Sequence, residues 1–251
     1  MMHDRTANDI QRPSWLSPSL SAMPNGSGTA AYEMKFGVTE DQARQLQTWA
    51  TSELERDPHA DGDDGYQITS IYFDTPSFDV FRKQPGYDVN KYRLRRYGLT
   101  PTVHLERKSK QDGRSWKCRE SMDLSELARP RNEWPVSWFK QELDQLQLQP
   151  ICLATYQRLA YVGSSLNGSI RLTMDRKAYG RVQSDHDLTP ALEGFPLVTD
   201  LVIVEFKYLA SLPSLFKSAI EQLQLQPTGV SKFRRCLRAA GLISTEGTSD
   251  A

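Results

Sequence analysis

Segment after segment of this chain carries charged residues two positions apart with an apolar residue between them. No other feature limits the possible fold as strongly. Glu33 and Lys35 flank Met34, Arg93 and Arg95 flank Leu94, and Lys117 and Arg119 flank Cys118. His104, Glu106 and Lys108 alternate, with Leu105 between the first two. Arg171, Thr173 and Asp175 alternate with Leu172 and Met174, and Glu205 and Lys207 flank Phe206 with Val204 just before. Side chains on a β-strand have a period of two, so each set occupies one face of a sheet. One face is then densely charged and the other apolar.

Strand-like runs rich in Val, Ile, Tyr and Phe, or alternating, cover 31–37, 66–73, 89–97, 101–109, 115–123, 151–162, 168–175, 177–183 and 198–208. Helices are fewer. Thr39 and Gln42 form a capping box ahead of Ala43, Leu46, Ala50 and Leu54. Val136, Phe139, Leu143 and Leu146 mark a second helix, and Leu212, Leu215, Phe216, Ala219, Ile220 and Leu223 a third. Ser231 caps a last short helix that turns Phe233, Cys236, Leu237 and Ala240 inward and stops at Gly241. The hexapeptide QLQLQP closes a helix twice, at 145–150 and 222–227. Many strands with few helices indicate an α+β fold with an antiparallel sheet.

Residues 1–30 and 244–251 read as disordered tails around one domain, 31–243, which no Pro/Gly/Ser-rich linker divides. There is no apolar signal segment and no run near the ~20 apolar residues that span a bilayer. Cys118, Cys152 and Cys236 are odd in number and widely spaced, as in a reducing compartment. The expected location is cytoplasmic.

Lysine and arginine number 31 and aspartate and glutamate 31, so the chain is neutral overall. That argues against a general nucleic-acid binder and leaves any anion site to local segregation of charge. Such segregation exists. On the strands, Lys35, Arg93, Arg95, Lys108, Lys117, Arg119, Arg171 and Lys207 outnumber Glu33, Glu106, Asp175 and Glu205, and Arg158 adds to the excess. A solvated sheet face usually mixes Thr, Ser and Gln among its charges. A sheet curled around this face would instead gather positive potential in a cavity suited to a polyanion. Arginine grips phosphate oxygens bidentately and does not titrate away. A few glutamates suit Mg²⁺ shared with substrate phosphates.

SIYFDTPSFDVFR at 70–82, YRLRRYG at 92–98, HLERKSK at 104–110, WKCRES at 116–121, TYQRLAY at 155–161, IRLTMDR at 170–176, IVEFKY at 203–208 and SKFRR at 231–235 together resemble the VTC domain. This is the polyphosphate-polymerase domain of the triphosphate tunnel metalloenzymes, or CYTH-like superfamily. The resemblance implies an antiparallel β-barrel open at both ends, a triphosphate tunnel with helices packed outside. It implies ATP-dependent extension of polyphosphate with Mn²⁺ or Mg²⁺. Arg93 and Arg95 match the phosphate-binding RLR pair, and Lys108, Lys117, Arg158 and Arg171 match other tunnel cations. Lys35 matches the lysine of the first strand and Lys232 that of the SKF motif, so Arg93 and Lys232 are the expected catalytic residues. Glu205 matches the metal-binding glutamate, with Glu33 and Glu106 as further candidates. Arg119 and Lys207 share the charged face. Related hydrolases and cyclases open with ExExK, but Ala31 stands where the first glutamate would be. Hydrolysis of triphosphate or a nucleoside triphosphate, and non-catalytic binding of polyphosphate or nucleotide, remain the alternatives. ATP and polyphosphate or triphosphate are the expected partners, with no nucleic acid and no membrane span.

Overall fold

The structure, a computed structural model, describes residues 30–59 and 65–244. Apart from Ala30 and Ser244, the two expected tails lie outside the described residues. Ten strands form: β1 (Ala31–Val38), β2 (Glu55–Arg56), β3 (Tyr66–Asp74), β4 (Asn90–Tyr97), β5 (Thr102–Gln111), β6 (Arg114–Asp123), β7 (Gln149–Ser165), β8 (Gly168–Val182), β9 (Phe195–Pro196) and β10 (Val202–Tyr208). Five α-helices accompany them: α1 (Glu40–Glu53), α2 (Asp79–Arg82), α3 (Ser137–Gln145), α4 (Ser214–Gln222) and α5 (Lys232–Ala239). All pairings are antiparallel. They run β7-β3-β4-β5-β6-β1-β10-β8, and a β7–β8 ladder closes the circle into an eight-stranded barrel. The short β2 and β9 extend it from β7 and β8.

Expected strands 168–175 and 177–183 are one continuous β8. Lys177, at φ 48°, is the extra residue opposite Thr155 to Gln157, where the β7–β8 register shifts. The chain therefore bulges without breaking. The expected strand at 198–208 begins only at Val202, after Asp200 takes φ 54°. Alternation could not reveal the four-residue α2, which forms because both Asp74 oxygens accept backbone N–H groups from Thr75, Val80 and Phe81.

Helix ends follow the sequence closely. Thr39 and Gln42 make the reciprocal capping box at α1, and Ser231 Oγ accepts from Arg234 N–H at α5. Both QLQLQP copies make the same C-cap. Gln147 and Gln224 take positive φ, while Leu148 N–H reaches Leu143 O and Leu225 N–H reaches Ile220 O. This is the Schellman arrangement, so the hexapeptide is a repeated helix stop.

The apolar cores lie outside the barrel wall. Ile71, Leu94, Leu105 and Leu153 pack with Phe81, Phe139, Leu143, Phe233 and Leu237 from α2, α3 and α5. Phe36, Leu172, Met174, Val204 and Phe206 pack with Leu46, Ala50, Phe216 and Ala219 from α1 and α4. Each large side chain buried this way stabilises by ~1.5–3 kcal/mol. The wall thus holds its shape from outside and leaves its inner face to charge.

Candidate functional site: a cation-lined tunnel

Residues directly opposite in an antiparallel ladder point to the same face. Across β4, β5 and β6 this gives three inward rungs: Lys91–Lys108–Lys117, Arg93–Glu106–Arg119 and Arg95–His104–Ser121. Glu106 is fully buried at the centre. Its Oε2 accepts from Arg93 Nε at 2.6 Å, with Arg95 Nη1 at 3.7 Å. Its Oε1 accepts from Arg119 Nε at 2.6 Å, with Lys117 Nζ at 3.4 Å. Burial would raise its pKa, but Arg93, Arg95, Lys117 and Arg119 outweigh that and hold it well below 4.5. Arg95 also donates to Ser70 Oγ at 3.1 Å and to Tyr156 Oη at 3.2 Å. Arg119 donates to Tyr97 Oη at 2.7 Å. Against the effect of burial, Arg95 and Arg119 lower that phenol to about 8.

The opposite wall comes from β7, β8, β10, β1 and α5. Arg158 forks onto Asp175 at 2.6 and 2.8 Å, and Lys232 Nζ reaches the same carboxylate at 2.5 Å. Burial opposes ionisation of Asp175, yet Arg158 and Lys232 bring its pKa to about 2. The Ser231 cap starts α5 so that Lys232, its first residue, also sits 4.4 Å from the Tyr156 ring centre. Lys35 stands opposite Glu205, 3.6 Å from its carboxylate, and Lys108 donates to Glu33. Lys35, Lys108, Arg158 and Lys232 overcome burial to hold Glu205 far below the usual carboxylate range.

Arg93, Arg95, Lys117 and Arg119 thus gather around Glu106, while Lys35, Lys108, Arg158 and Lys232 gather around Glu33, Asp175 and Glu205. Arg171 stands apart, held by Asp57 Oδ2 at 2.5 Å and Tyr66 Oη at 2.8 Å. Lys207 lies opposite Glu33 and Arg171 in the ladders. Tyr66, which reads as core from sequence, is half-buried, and its hydroxyl accepts from Arg171. Tyr72 is buried on the tunnel face opposite Arg93, while Phe73 and Cys118 are core. His104 shares a hydrogen bond with Ser121 Oγ at 2.8 Å. Burial and Arg119 lower its pKa to about 4, so it adds no charge at neutral pH.

Sequence reasoning passed over Lys91, Tyr97, Tyr156 and Asp57. Period-two parity places Lys91 and Tyr97 on the charged face of β4. Tyr156 has the parity of Arg158, but an aromatic residue defaults to core. Asp57 follows a two-residue strand that has no readable period.

Among the described residues no group of three or more His, Cys, Asp or Glu side chains could hold a metal ion. Glu33 and Glu205 are diagonal neighbours on β1 and β10. This donor set fits a hard dication in one mode, with one or two carboxylates supplemented by phosphate oxygens of the substrate. Both Glu106 oxygens already face cations, so it organises guanidinium groups along the tunnel wall. Buried ion pairs roughly break even in stability against apolar residues of the same volume. The charged interior is therefore not explained by folding.

Residues 30–240 match the VTC domain family. A protein from Hippeastrum, described as a proposed adenylyl cyclase with a dominant triphosphatase activity, has a similar structure. Its TM-score is 0.50 at 15% identity, covering 88% of this chain and 100% of that one, and the shared feature is the fold. A proposed adenylate cyclase from Vibrio parahaemolyticus aligns at TM-score 0.41 and 13% identity over 79% of this chain and 91% of its own. A conserved protein from Pyrococcus furiosus aligns at 0.43 and 16% over 78% and 91%. No curated protein matches the chain by sequence. No helix among the described residues is long and apolar enough to cross a membrane.

Proposed function

This chain belongs to the VTC domain family, and from that premise we propose that it is an ATP-dependent polyphosphate polymerase working inside the tunnel. The observation that carries the reading is the interior itself: a closed barrel whose inner wall holds more cations than carboxylates, with the apolar cores outside. Phosphoryl transfer needs alignment and charge neutralisation more than covalent chemistry from the protein.

In this reading the two guanidinium groups of Arg93 and Arg95, pre-set by Glu106, Ser70 and Tyr156, grip one stretch of the phosphate chain. Lys232 and Arg158, pre-set by Asp175, hold the reacting phosphates from the other wall. A terminal oxygen of the acceptor chain attacks the γ-phosphorus of ATP. The bond from that phosphorus to the β–γ bridging oxygen breaks, and ADP leaves with the electron pair. Lys35, Lys108, Lys117, Arg119, Arg171 and Lys207 neutralise the flanking phosphates. Glu33 and Glu205 would hold Mn²⁺ or Mg²⁺, which supplies Lewis-acid neutralisation of phosphate oxygens.

Ala31 favours transfer to phosphate over transfer to water only weakly. It is fully buried opposite Ser115, at the position where hydrolases and cyclases related to the VTC domain carry a further glutamate. Purified protein with ATP and Mn²⁺ should make ADP and an acid-labile polymer that stains on a gel. Release of orthophosphate alone would replace the polymerase by a triphosphatase. Binding without turnover under any divalent metal would leave a sensor.

A further inference from the structure

Lys91, like Lys207, has no carboxylate in ion-pairing reach among the described residues, unlike Lys35, Lys108, Lys117 and Lys232, and other cations crowd it. It lies at the second position of β4, directly opposite Lys108, which is opposite Lys117. The parity that turns Lys108 toward Glu33 turns Lys91 inward too. Its amine is 5.9 Å from the Phe233 ring centre, so it stands at the tunnel end beside α5. The charged groups that act on it most strongly are cations: Lys35 from β1, Lys108 from β5, Arg234 from α5, and Lys83 just after α2. Folding gains nothing from an uncompensated amine in that company.

We propose that Lys91 is a further phosphate-binding residue, which takes an oxygen of the chain at the α5 end and so favours long polyphosphates over short ones. The inference rests on the tunnel being a phosphate-chain site. The inward positions Lys91, Arg93 and Arg95 follow one another at ~6.6 Å along the strand. A pyrophosphate held by Arg93 and Arg95 need not reach Lys91, whereas a long chain passing through the tunnel meets all three. Burial, then Lys35 and Lys108, lower the amine's pKa to about 7. The amine thus gives up its proton more readily than an ordinary lysine, and an arriving polyanion draws a proton onto it.

The test compares binding of pyrophosphate and of a linear polyphosphate several times longer to wild type, Lys91→Ala and Lys91→Arg. Melting of each empty protein is the control. Lys91→Ala should weaken long-chain binding about tenfold or more, as loss of a charge-assisted contact does. It should leave pyrophosphate binding unchanged and the empty protein no less stable. Lys91→Arg should keep long-chain affinity. At pH 7, calorimetry in two buffers should show greater proton uptake by wild type than by Lys91→Arg. Equal losses for both ligands, no loss for either, or a lower melting temperature of empty Lys91→Ala would overturn the inference. The tunnel reading would survive any of these if wild type still binds the long chain. If wild type binds neither ligand, both readings fall together.

Discussion

Replacing Glu106 with glutamine should lower the melting temperature of the empty protein by roughly 6–20 °C, from a loss of about 3–5 kcal/mol at 2–4 °C per kcal/mol. The substitution keeps the shape and removes the charge. Arg93, Arg95, Lys117 and Arg119 then face one another across the tunnel without their common counter-ion. The pH dependence has a definite sign. Folding lowers the pKa of Glu106, so its contribution is fully present above the ordinary glutamate value of 4.5 and fades as pH falls below it. The gap between wild type and Glu106→Gln should be constant at neutral pH and narrow in acid. Added polyphosphate should recover part of the loss, because phosphate oxygens can stand in for the missing carboxylate. An unchanged melting temperature would mean that the four cations are already solvated and need no counter-ion.

Arg93→Ala and Lys232→Ala should each reduce polymer synthesis by ~10²–10³-fold, the usual cost of removing one pre-set charge-stabilising donor. Both proteins should remain folded. Without Arg93, Glu106 retains three cations, and without Lys232, Asp175 retains the Arg158 fork. Arg93→Lys should also be impaired, since an ammonium cannot reproduce the two-pronged geometry of guanidinium. Initial rates with ATP and Mn²⁺ at saturating acceptor check this. Near-normal rates in all three variants would show that these side chains are solvated charges and not ligands.

Much of this architecture is written in the chain's alternation. The parity of Glu33/Lys35, Arg93/Arg95 and Glu205/Lys207 tells which face is charged; between them Leu94 and Phe206 are buried in the outer cores and Met34 packs half-buried against one of them. The Thr39 and Ser231 caps were legible because their chemistry is local. The pairing pattern inside the tunnel was not. That Glu106 serves four cations, and that Asp175 joins Arg158 on a neighbouring strand to Lys232 on a helix, depends on register and barrel closure. Neither leaves a trace in spacing. The β8 bulge was also hidden, since it rests on the positive φ of Lys177, a residue with no marked preference for that conformation.

The central claim is that the tunnel is built for a linear chain of phosphates, and a thermal-shift series tests it most directly. Wild type is melted with tripolyphosphate, with orthophosphate and with sodium chloride, all at equal ionic strength. A ligand at ~100 Kd that binds only the native state stabilises by ~2.7 kcal/mol, worth roughly 5–11 °C for a domain of this size. Tripolyphosphate should give a shift in that range. Orthophosphate, which engages only part of the cation array, should give much less, and Arg95→Gln should shrink the tripolyphosphate shift. Equal shifts with all three salts in both proteins would reduce the effect to screening of surface charge, and would contradict the existence of a tunnel that phosphate chains fill.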